Sequence, residues 1–371
     1  MILKIFSTWK TPGWTMEKSC DTMILERQAI QMKTTFLLFA DLHVDIMHDT
    51  VARMEIILSA AHKHKVDFLL HLGDIMYPEA SFVKACDPDG FARREDSWFL
   101  CERDDEKQAI RELIAASGFR LYGVLGNHDM DSCDKSTACR YWNLPAAHYS
   151  FVEGGVRFIA LDSQFIHTES GFEDFAYNNY KYYKAPALHQ IPPGQLRWLE
   201  ETIQSSDEPC VLLSHASLAD DLLNVRNMHE IWDIISRANH EKRRVIAAFN
   251  GHNHVDGLTI RRGVPFVSIN SASNIWIGMQ YAATRYSETI SHLYPHIRGC
   301  APYYDPLYAV VTIDDSGILI EGTQSTFVGP SPQDLGLPSS ASFHEPCACI
   351  RSRKLPLSPI EGDGRSDAFL L

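Results

Sequence analysis

Three polar side chains that can bind a metal ion or move a proton follow a short apolar run in the first half of the chain. The run is Leu121–Leu125, and Gly126 separates it from Asn127, His128 and Asp129. Such a run predicts a buried strand, and a glycine lets the chain turn sharply as it leaves the sheet. Open α/β sheets bind ligands at the carboxyl ends of their strands. The stretch therefore predicts part of a functional site, although by itself it could be a hydrogen-bonded turn.

Four further clusters repeat this arrangement of an apolar run that ends in Asp or His. Asp41 with His43 and His252 with His254 are spaced by two residues, which places both side chains on one face of an extended strand. The candidate metal ligands of the five clusters are Asp41, His43, Asp74, Asn127, His215, His252 and His254. Nitrogen and oxygen ligands in this mixture suit zinc, manganese or iron. One such residue is usually a turn residue, but five clusters in this order predict a shared metal site.

The elements that must position these clusters alternate between strands and helices. Helical periodicity in Thr50–Lys65 and Asp105–Ser117 separates three apolar strands, which indicates βαβ units and a parallel sheet. We interpret residues 78–104 as an insertion and residues 163–193 as a long loop over the site. Further strands are predicted at 209–213 and 245–249, helices at 193–205 and 227–240, and hairpins at 149–161, 258–269 and 308–322.

Composition narrows the class of protein. The 371 residues are 45% hydrophobic and 22% charged, which is typical of a globular protein with a large core. A formal net charge of −13 disfavours nucleic-acid binding, and no apolar run is long enough to span a membrane. Nine cysteines without a zinc-binding C-x-x-C spacing favour reduced thiols and a cytoplasmic location, although Cys133 and Cys139 could still form a pair.

Both ends of the chain lack the periodic apolar residues of a packed element. Residues 1–31 are interrupted by Pro12-Gly13, and we interpret them as a poorly ordered extension that makes Met32 an alternative natural start. Residues 330–371 are rich in Pro, Ser and Gly, which predicts a disordered tail. Residues 32–329 would then form the folded domain. We expect a fragment of residues 32–330 to melt near the temperature of the whole chain.

The ordered motifs Asp-Leu-His, Gly-Asp, Gly-Asn-His-Asp, Ser-His and Gly-His-Asn-His resemble those of the calcineurin-like metallophosphoesterase family, over about residues 34–325. The resemblance implies an α/β fold in which a two-sheet β-sandwich is flanked by helices in four αββα layers. It also implies a dinuclear metal centre. One metal would be held by Asp41, His43, Asp74 and His254. The other would be held by Asp74, Asn127, His215 and His252, so that Asp74 bridges the two ions.

By the same resemblance, the activity would be the hydrolysis of phosphoric esters. Two divalent or mixed-valence ions of Mn, Fe or Zn would lower the pKa of a bridging water, and the hydroxide would attack phosphorus in line. With a charge of +4 from the ions and −2 from Asp41 and Asp74, the pocket would be locally cationic. His128 would lie beside the metals and assist the leaving group, and Asp129 would orient it and favour its imidazolium form.

The substrate is less constrained by the sequence. We favour a small phosphodiester or nucleotide-type substrate, with Asn224 and Arg226 as candidate contacts and Trp276 and Tyr281 as further residues at the pocket mouth. A phosphomonoester, as in acid or protein phosphatases, is the alternative. A non-catalytic scaffold on the same fold is a third interpretation, which the complete set of ligands disfavours, and the acidic composition disfavours a nuclease.

Tyr77 follows Asp74 at the spacing found in purple acid phosphatases, whose tyrosine binds ferric iron. Those enzymes lack the histidine of the first motif, which is His43 here. Because two ligands would compete for one position, we interpret Tyr77 as a packing or pocket residue.

Overall fold

Residues 32–89, 103–219, 223–337 and 345–371 are described by a computed structural model. Their α-helices are α1 (Thr50–His64), α2 (Ala80–Cys86), α3 (Asp104–Ala116), α4 (Lys135–Tyr141), α5 (Pro193–Gln204), α6 (Met228–Ala238) and α7 (Glu288–Leu293). Their strands are β1 (Lys33–Phe39), β2 (Phe68–His71), β3 (Leu121–Gly123), β4 (Tyr149–Glu153), β5 (Val156–Ala160), β6 (Phe165–Thr168), β7 (Gly171–Asp174), β8 (Cys210–Ser214), β9 (Val245–Asn250), β10 (Gly257–Arg261), β11 (Val264–Ser268), β12 (Asn274–Trp276), β13 (Cys300–Pro302), β14 (Ala309–Asp314), β15 (Gly317–Gly322), β16 (Arg353–Leu355) and β17 (Gly364–Arg365).

The strands form two large mixed sheets and two small hairpin-like pairs. The first large sheet has the order β16-β15-β14-β1-β2-β3, and the second has the order β17-β10-β11-β9-β8-β5-β4. Strands β1, β2 and β3 run parallel, as do β5, β8 and β9. The three predicted hairpins are present as the antiparallel pairs β4–β5, β10–β11 and β14–β15. The predicted parallel sheet is therefore confirmed, and it is extended by antiparallel strands.

Aromatic side chains join the two large sheets. Phe36 and Phe68 from the first sheet stack with their ring centroids 5.1 Å apart. Phe158 from the second sheet meets both edge-on, at 5.4 and 5.5 Å, and stacks on Phe151 at 5.0 Å. Burial of such a ring stabilises the fold by roughly 1.5–3 kcal/mol. The two sheets therefore pack face to face, with these rings in the core between them.

Helices cover the outer faces of the sandwich. The apolar residues of α1 and α3 belong to the same buried cluster as the first sheet, and those of α5 and α6 form a second cluster with β8 and β9. The fold is therefore the four-layer αββα sandwich that the sequence predicts. None of the helices in the described part of the chain has the length and apolarity needed to cross a bilayer.

The predicted metal ligands follow strands of both sheets. Asp41, Asp74 and Asn127 come after β1, β2 and β3 of the first sheet. His215 and His252 come after β8 and β9 of the second sheet. Because these strands run parallel within each sheet, their carboxyl ends gather the polar residues at one edge of the sandwich.

The structure corrects the expectation of a disordered tail for residues 345–371. Strand β16 pairs antiparallel with β15, and β17 pairs with β10, so the segment extends both large sheets. Arg353 is 1% exposed, and its guanidinium donates to both oxygens of the buried Asp256, at 2.7 and 2.5 Å. The composition suggested disorder because such a segment cannot form its own core, but it can add to existing sheet edges.

Other predictions concern segments that the structure describes only in part. Residues 1–31 and 90–102 lie outside the described residues, so the N-terminal extension and most of the insertion at 78–104 stay predictions, as do the remaining domain limits. The loop predicted at residues 163–193 contains the β6–β7 pair and two short 3₁₀ turns. Cys133 and Cys139, which the sequence allows to pair, are both buried and do not form a disulfide with each other.

Because residues 345–371 pair with both large sheets, we no longer expect a fragment of residues 32–330 to melt near the temperature of the whole chain. The Arg353–Asp256 pair gives a different stability prediction. We expect Arg353→Ala to lower the free energy of unfolding by about 3–5 kcal/mol, because it leaves the Asp256 carboxylate buried without the guanidinium that binds both of its oxygens. Urea denaturation measures this loss. A matched control is Arg237→Ala, which removes a pair with Glu200 in which Arg237 is 56% exposed, and which should cost less than about 1 kcal/mol. Equal losses in the two variants would contradict the assignment.

Candidate metal centre

The structure brings the predicted ligands together in two groups. Asp41, His43 and His254 form the first group, and Asp74, His215 and His252 form the second. Within each group, the candidate ligand atoms all lie within 4.8 Å of one another. The side chain of Asn127 joins the second group, with its Oδ1 atom 3.2 Å from His215 Nε2. All seven side chains are buried except His252, which is half-buried.

Backbone carbonyls determine which nitrogen of two histidines carries the hydrogen. His215 Nδ1 lies 2.6 Å from the Leu72 carbonyl oxygen, and His254 Nδ1 lies 2.6 Å from the Asn274 carbonyl oxygen. A carbonyl oxygen can only accept a hydrogen bond, so each Nδ1 is the donor. Each Nε2 then presents a lone pair, which is the form that binds a metal ion.

These lone pairs face other acceptors. His215 Nε2 is 3.1 Å from Asp74 Oδ2, and His254 Nε2 is 3.3 Å from Asp41 Oδ1. Two acceptors at such distances repel each other unless a proton or a cation lies between them. Burial lowers the pKa of His215, but the Asp74 and Asp41 carboxylates and the Leu72 carbonyl together outweigh it and raise the pKa to about 9. A proton therefore holds this position in the metal-free protein, and a metal ion would displace it on binding.

Several buried atoms of the site have no hydrogen-bond partner among the described residues. They include Asp41 Oδ1, His43 Nδ1 and His252 Nε2. A buried polar atom left unpaired costs about 1–3 kcal/mol. Burial also holds the pKa of His252 well below its ordinary value, so its ring is neutral and able to coordinate. Together with the facing lone pairs, these atoms fit the pair of metal ions expected from the sequence.

The backbone around the ligands is strained and tightly packed. Asp41, His43, Asp74, His252 and His254 all have left-handed φ angles, between 50 and 65°. Such conformations cost about 1–3 kcal/mol each and concentrate at functional sites. Gly126 and Gly251 allow the loops to approach, since an added Cβ would lie 2.2 Å from Asp74 Oδ1 and 2.6 Å from Asp41 Oδ2 respectively.

His128 lies beside the two groups and is held by a different carboxylate from the one predicted. Its Nδ1 is 2.8 Å from Asp131 Oδ2, and the Tyr180 hydroxyl donates to Asp131 Oδ1 at 2.8 Å. The His128 ring packs edge-on against His43, with centroids 5.2 Å apart. Burial lowers the pKa of His128, but the carboxylates of Asp131 and Asp74 outweigh it and hold the pKa well above its ordinary value.

The expectation that Asp129 orients His128 is therefore wrong. The Asp129 carboxylate accepts hydrogen bonds from the backbone N–H groups of Gly126, Asp74 and Ile75, at 2.8, 3.0 and 3.2 Å. Burial raises its pKa to about 7, assisted by the nearby Asp74. Asp129 thus ties the loop after β3 to the loop after β2. The signal for Asp131 was its i+3 spacing from His128 in a 3₁₀ turn.

The candidate substrate contacts, Asn224 and Arg226, are connected to the second group through His189. Arg226 Nη1 donates to Asn224 Oδ1 at 3.2 Å, and Arg226 Nε donates to the Ala185 carbonyl oxygen at 3.2 Å. The backbone N–H of Arg226 donates to the carbonyl oxygen of His189, whose ring centroid is 4.7 Å from that of His252. His189, which sequence reasoning missed, therefore links Arg226 to the candidate ligand His252.

Three further residues singled out in the sequence are Trp276, Tyr281 and Tyr77. Trp276 is 41% exposed, and its ring centroid lies 5.9 Å from that of His43. Tyr281 is half-buried in a 3₁₀ turn. Tyr77 is buried, with the Lys107 ammonium 3.9 Å from its ring centroid, which agrees with a packing residue. Tyr180, like His189, comes from residues 163–193, so the loop predicted over the site contributes side chains to it.

Comparisons with known proteins give a family and a fold. Residues 34–256 match the family model described as calcineurin-like phosphoesterase, and no curated protein matches the sequence significantly. The structure is similar to a dimetal phosphatase from Danio rerio, with a TM-score of 0.54 and 14% identity, covering 80% of this chain and 99% of that chain.

Two weaker structural similarities were also found. One is to GAP50, the anchor in the inner membrane complex of Plasmodium, with a TM-score of 0.46, 10% identity and coverage of 88% and 89%. The other is to the calcineurin-like phosphoesterase YfkN from Bacillus subtilis, with a TM-score of 0.38, 10% identity and coverage of 88% and 91%.

The separate contacts of the two carboxylates predict separate effects. We expect Asp129→Asn to lower both thermal stability and metal content, because an amide cannot accept from all three backbone N–H groups, and each lost bond costs about 1–3 kcal/mol. Asp131→Asn should keep the metal content and lower only the rate of hydrolysis. Elemental analysis and melting curves of the two variants make the comparison. Metal loss confined to Asp131→Asn would contradict these roles.

Proposed function

This chain belongs to the calcineurin-like phosphoesterase family and is a phosphoester hydrolase, and we propose that its substrate is a small phosphodiester of nucleotide type. The observation that carries the proposal is the meeting of two groups of buried Asp and His acceptors at one edge of the sandwich, with an exposed indole beside them. The alternative substrate is a phosphomonoester.

The family implies a dinuclear divalent metal centre, and we assign its ligands from the two groups. Asp41, His43 and His254 would hold one ion, and His215, His252 and Asn127 the other, with Asp74 shared. When bound, the ions supply positive charge to the phosphoryl oxygens and lower the pKa of water. The N/O donor set suits Mn, Fe or Zn.

The residues of the chain itself would bind and protonate the substrate. Asp131 engages His128 Nδ1, which leaves Nε2 as the nitrogen that can donate to the leaving oxygen. Tyr180 also fixes Asp131, because its hydroxyl group donates to Asp131 Oδ1. Because the Asp131 carboxylate raises the pKa of His128, the imidazolium is available to give its proton. His128 is 28% exposed, so a substrate can reach it.

The preference for a diester with an aromatic group rests on Trp276. Its indole is 41% exposed, and its ring centroid lies 5.9 Å from that of His43, so an aromatic substituent of a bound ester can stack on it. An aromatic group stacked on such a ring gains about 1–3 kcal/mol. A phosphomonoester without an aromatic group would leave the indole without a stacking partner. A non-catalytic scaffold is disfavoured because every one of the seven ligand positions is occupied by a competent side chain.

A substrate panel tests the proposal. With Mn, Zn and Fe each supplied, we expect hydrolysis of nucleotide-type diesters at a higher kcat/KM than that of the matching monoesters. Trp276→Ala should raise KM for the nucleotide-type diester roughly tenfold, whereas Trp276→Phe should largely retain the affinity. Faster hydrolysis of monoesters, unaffected by Trp276→Ala, would identify a phosphomonoesterase. A cytoplasmic location and the lack of nucleic-acid and membrane partners stay predictions from composition.

The same assays separate His128 from the ligands. We expect His128→Ala to keep both metals and to lower kcat by about 10²–10⁴-fold, as for loss of a general acid. The loss should shrink for esters of nitrophenol, whose leaving group needs little protonation. His252→Ala should instead lose metal and activity together. Metal loss in His128→Ala would make it a ligand, and an equal loss with all leaving groups would favour an electrostatic role.

A further inference from the structure

Two cysteines separated by one alanine lie side by side in the segment that extends the sheets. The Sγ atoms of Cys347 and Cys349 are 3.0 Å apart, and both residues are half-buried. The other cysteines of the described residues are buried, except for the half-buried Cys86. The Cys-x-Cys pair is therefore within reach of small reagents in solution.

The two thiols differ in their readiness to react. The hydrogen bond between the two thiols lowers the pKa of Cys349 to about 7 and raises the pKa of Cys347. Burial, by contrast, raises the pKa of Cys139 to about 12 and that of Cys210 to about 11. The thiolate is the nucleophile in thiol chemistry, so Cys349 is suited to attack and Cys347 to resolve.

The pair is connected to the first group of candidate ligands through one asparagine. Asn270 Nδ2 donates to the carbonyl oxygens of both Cys347 and Cys349, at 2.7 and 3.1 Å. Asn270 Oδ1 accepts from the backbone N–H of Ser271 at 2.9 Å. The Ser271 hydroxyl then donates to the carbonyl oxygen of Asp41 at 2.7 Å. Two residues thus separate the thiol pair from a candidate ligand.

A second connection runs through Asp256, which follows His254 by two residues. The backbone N–H of Arg351, two residues after Cys349, donates to Asp256 Oδ1 at 3.2 Å. Arg353 holds the same carboxylate through both of its terminal nitrogens. The segment that carries the thiols therefore anchors the backbone near Asp41 and the backbone near His254.

We propose that Cys347 and Cys349 form a redox-active dithiol, which a small-molecule disulfide of the glutathione type converts to an intramolecular disulfide that weakens the Asp41–His254 half of the metal centre. The Cys349 thiolate attacks one sulfur of the reagent and expels the first thiolate. The Cys347 thiol loses its proton and attacks Cys349, which expels the second. In sum, one protein dithiol and one disulfide reagent give one protein disulfide and two reduced thiols.

The bond would alter the contacts of Asn270. A disulfide has an S–S length of about 2.05 Å, so the two sulfurs must approach by about 1 Å from their 3.0 Å separation. The backbone from Cys347 to Cys349 moves with the sulfurs, and the carbonyl oxygens of both cysteines accept hydrogen bonds from the same Asn270 amide group. We expect the loss of at least one of these hydrogen bonds and a looser Ser271–Asp41 contact.

The experiment uses the full chain loaded with manganese and equilibrated with mixtures of reduced and oxidised glutathione. Intact mass and alkylation trapping should show a Cys347–Cys349 disulfide that dithiothreitol reverses. Oxidation should lower metal content, speed amide hydrogen exchange around Ser271, and reduce hydrolysis roughly two- to tenfold, the equivalent of one hydrogen bond. Cys347→Ser and Cys349→Ser should each abolish the response, whereas Cys86→Ser, a half-buried thiol elsewhere, should preserve it.

Two outcomes would overturn the proposal. The first is a persistent glutathione adduct, or no modification, in place of the intramolecular disulfide. The second is a disulfide that forms without change in metal content or in exchange around Ser271. The link to hydrolysis rests on the proposed function, but the mass, metal and exchange readouts do not. If the chain is inactive but still forms the disulfide and shows the changes in metal content and hydrogen exchange, the proposed function is contradicted and the redox proposal stands.

Discussion

The carboxylate oxygens and imidazole nitrogens at the carboxyl ends of β1, β2, β8 and β9 converge as acceptors that repel one another. His215 Nε2 faces Asp74 at 3.1 Å, and His254 Nε2 faces Asp41 at 3.3 Å. Only cations between them make this arrangement favourable, and much of the surrounding structure serves to maintain it. The acceptors are held together by the left-handed backbone conformation of five ligand residues and by the close approach of the chain at Gly126. Hydrogen bonds from His215 and His254 to backbone carbonyl oxygens also contribute.

The reacting side of the site depends on the same constraint. Asp129 ties the loops after β2 and β3 through three backbone N–H groups, which fixes Asn127 and His128 relative to Asp74. Asp131 and Tyr180 can then hold the His128 ring beside the metal ligands. Residues 345–371 hold Asn270 and Asp256 through hydrogen bonds, and these two residues are connected to the backbone near Asp41 and His254 respectively. Each half of the centre is therefore supported by a different part of the chain.

Features that depend on local patterns could be predicted from the sequence. Apolar runs located the strands of both large sheets other than β16 and β17, and Asp, Asn and His after their carboxyl ends gave the seven candidate ligands, because parallel topology brings such ends together. Contacts that depend on tertiary geometry were missed. The resemblance implied Asp129 as the partner of His128, whereas the 3₁₀ turn brings Asp131, three residues after His128, into hydrogen-bonding range. His189 and Tyr180 lie in a long loop without periodicity, and β16 and β17 acquire their order only by pairing with strands formed elsewhere.

The central claim is that two metal ions occupy the space between the facing acceptors. Anomalous diffraction from crystals grown with manganese tests it most directly. We predict two peaks about 3.5–4 Å apart, one bounded by Asp41, His43 and His254, and the other by Asn127, His215 and His252, with Asp74 between them. A single peak, or peaks away from these residues, would contradict the claim.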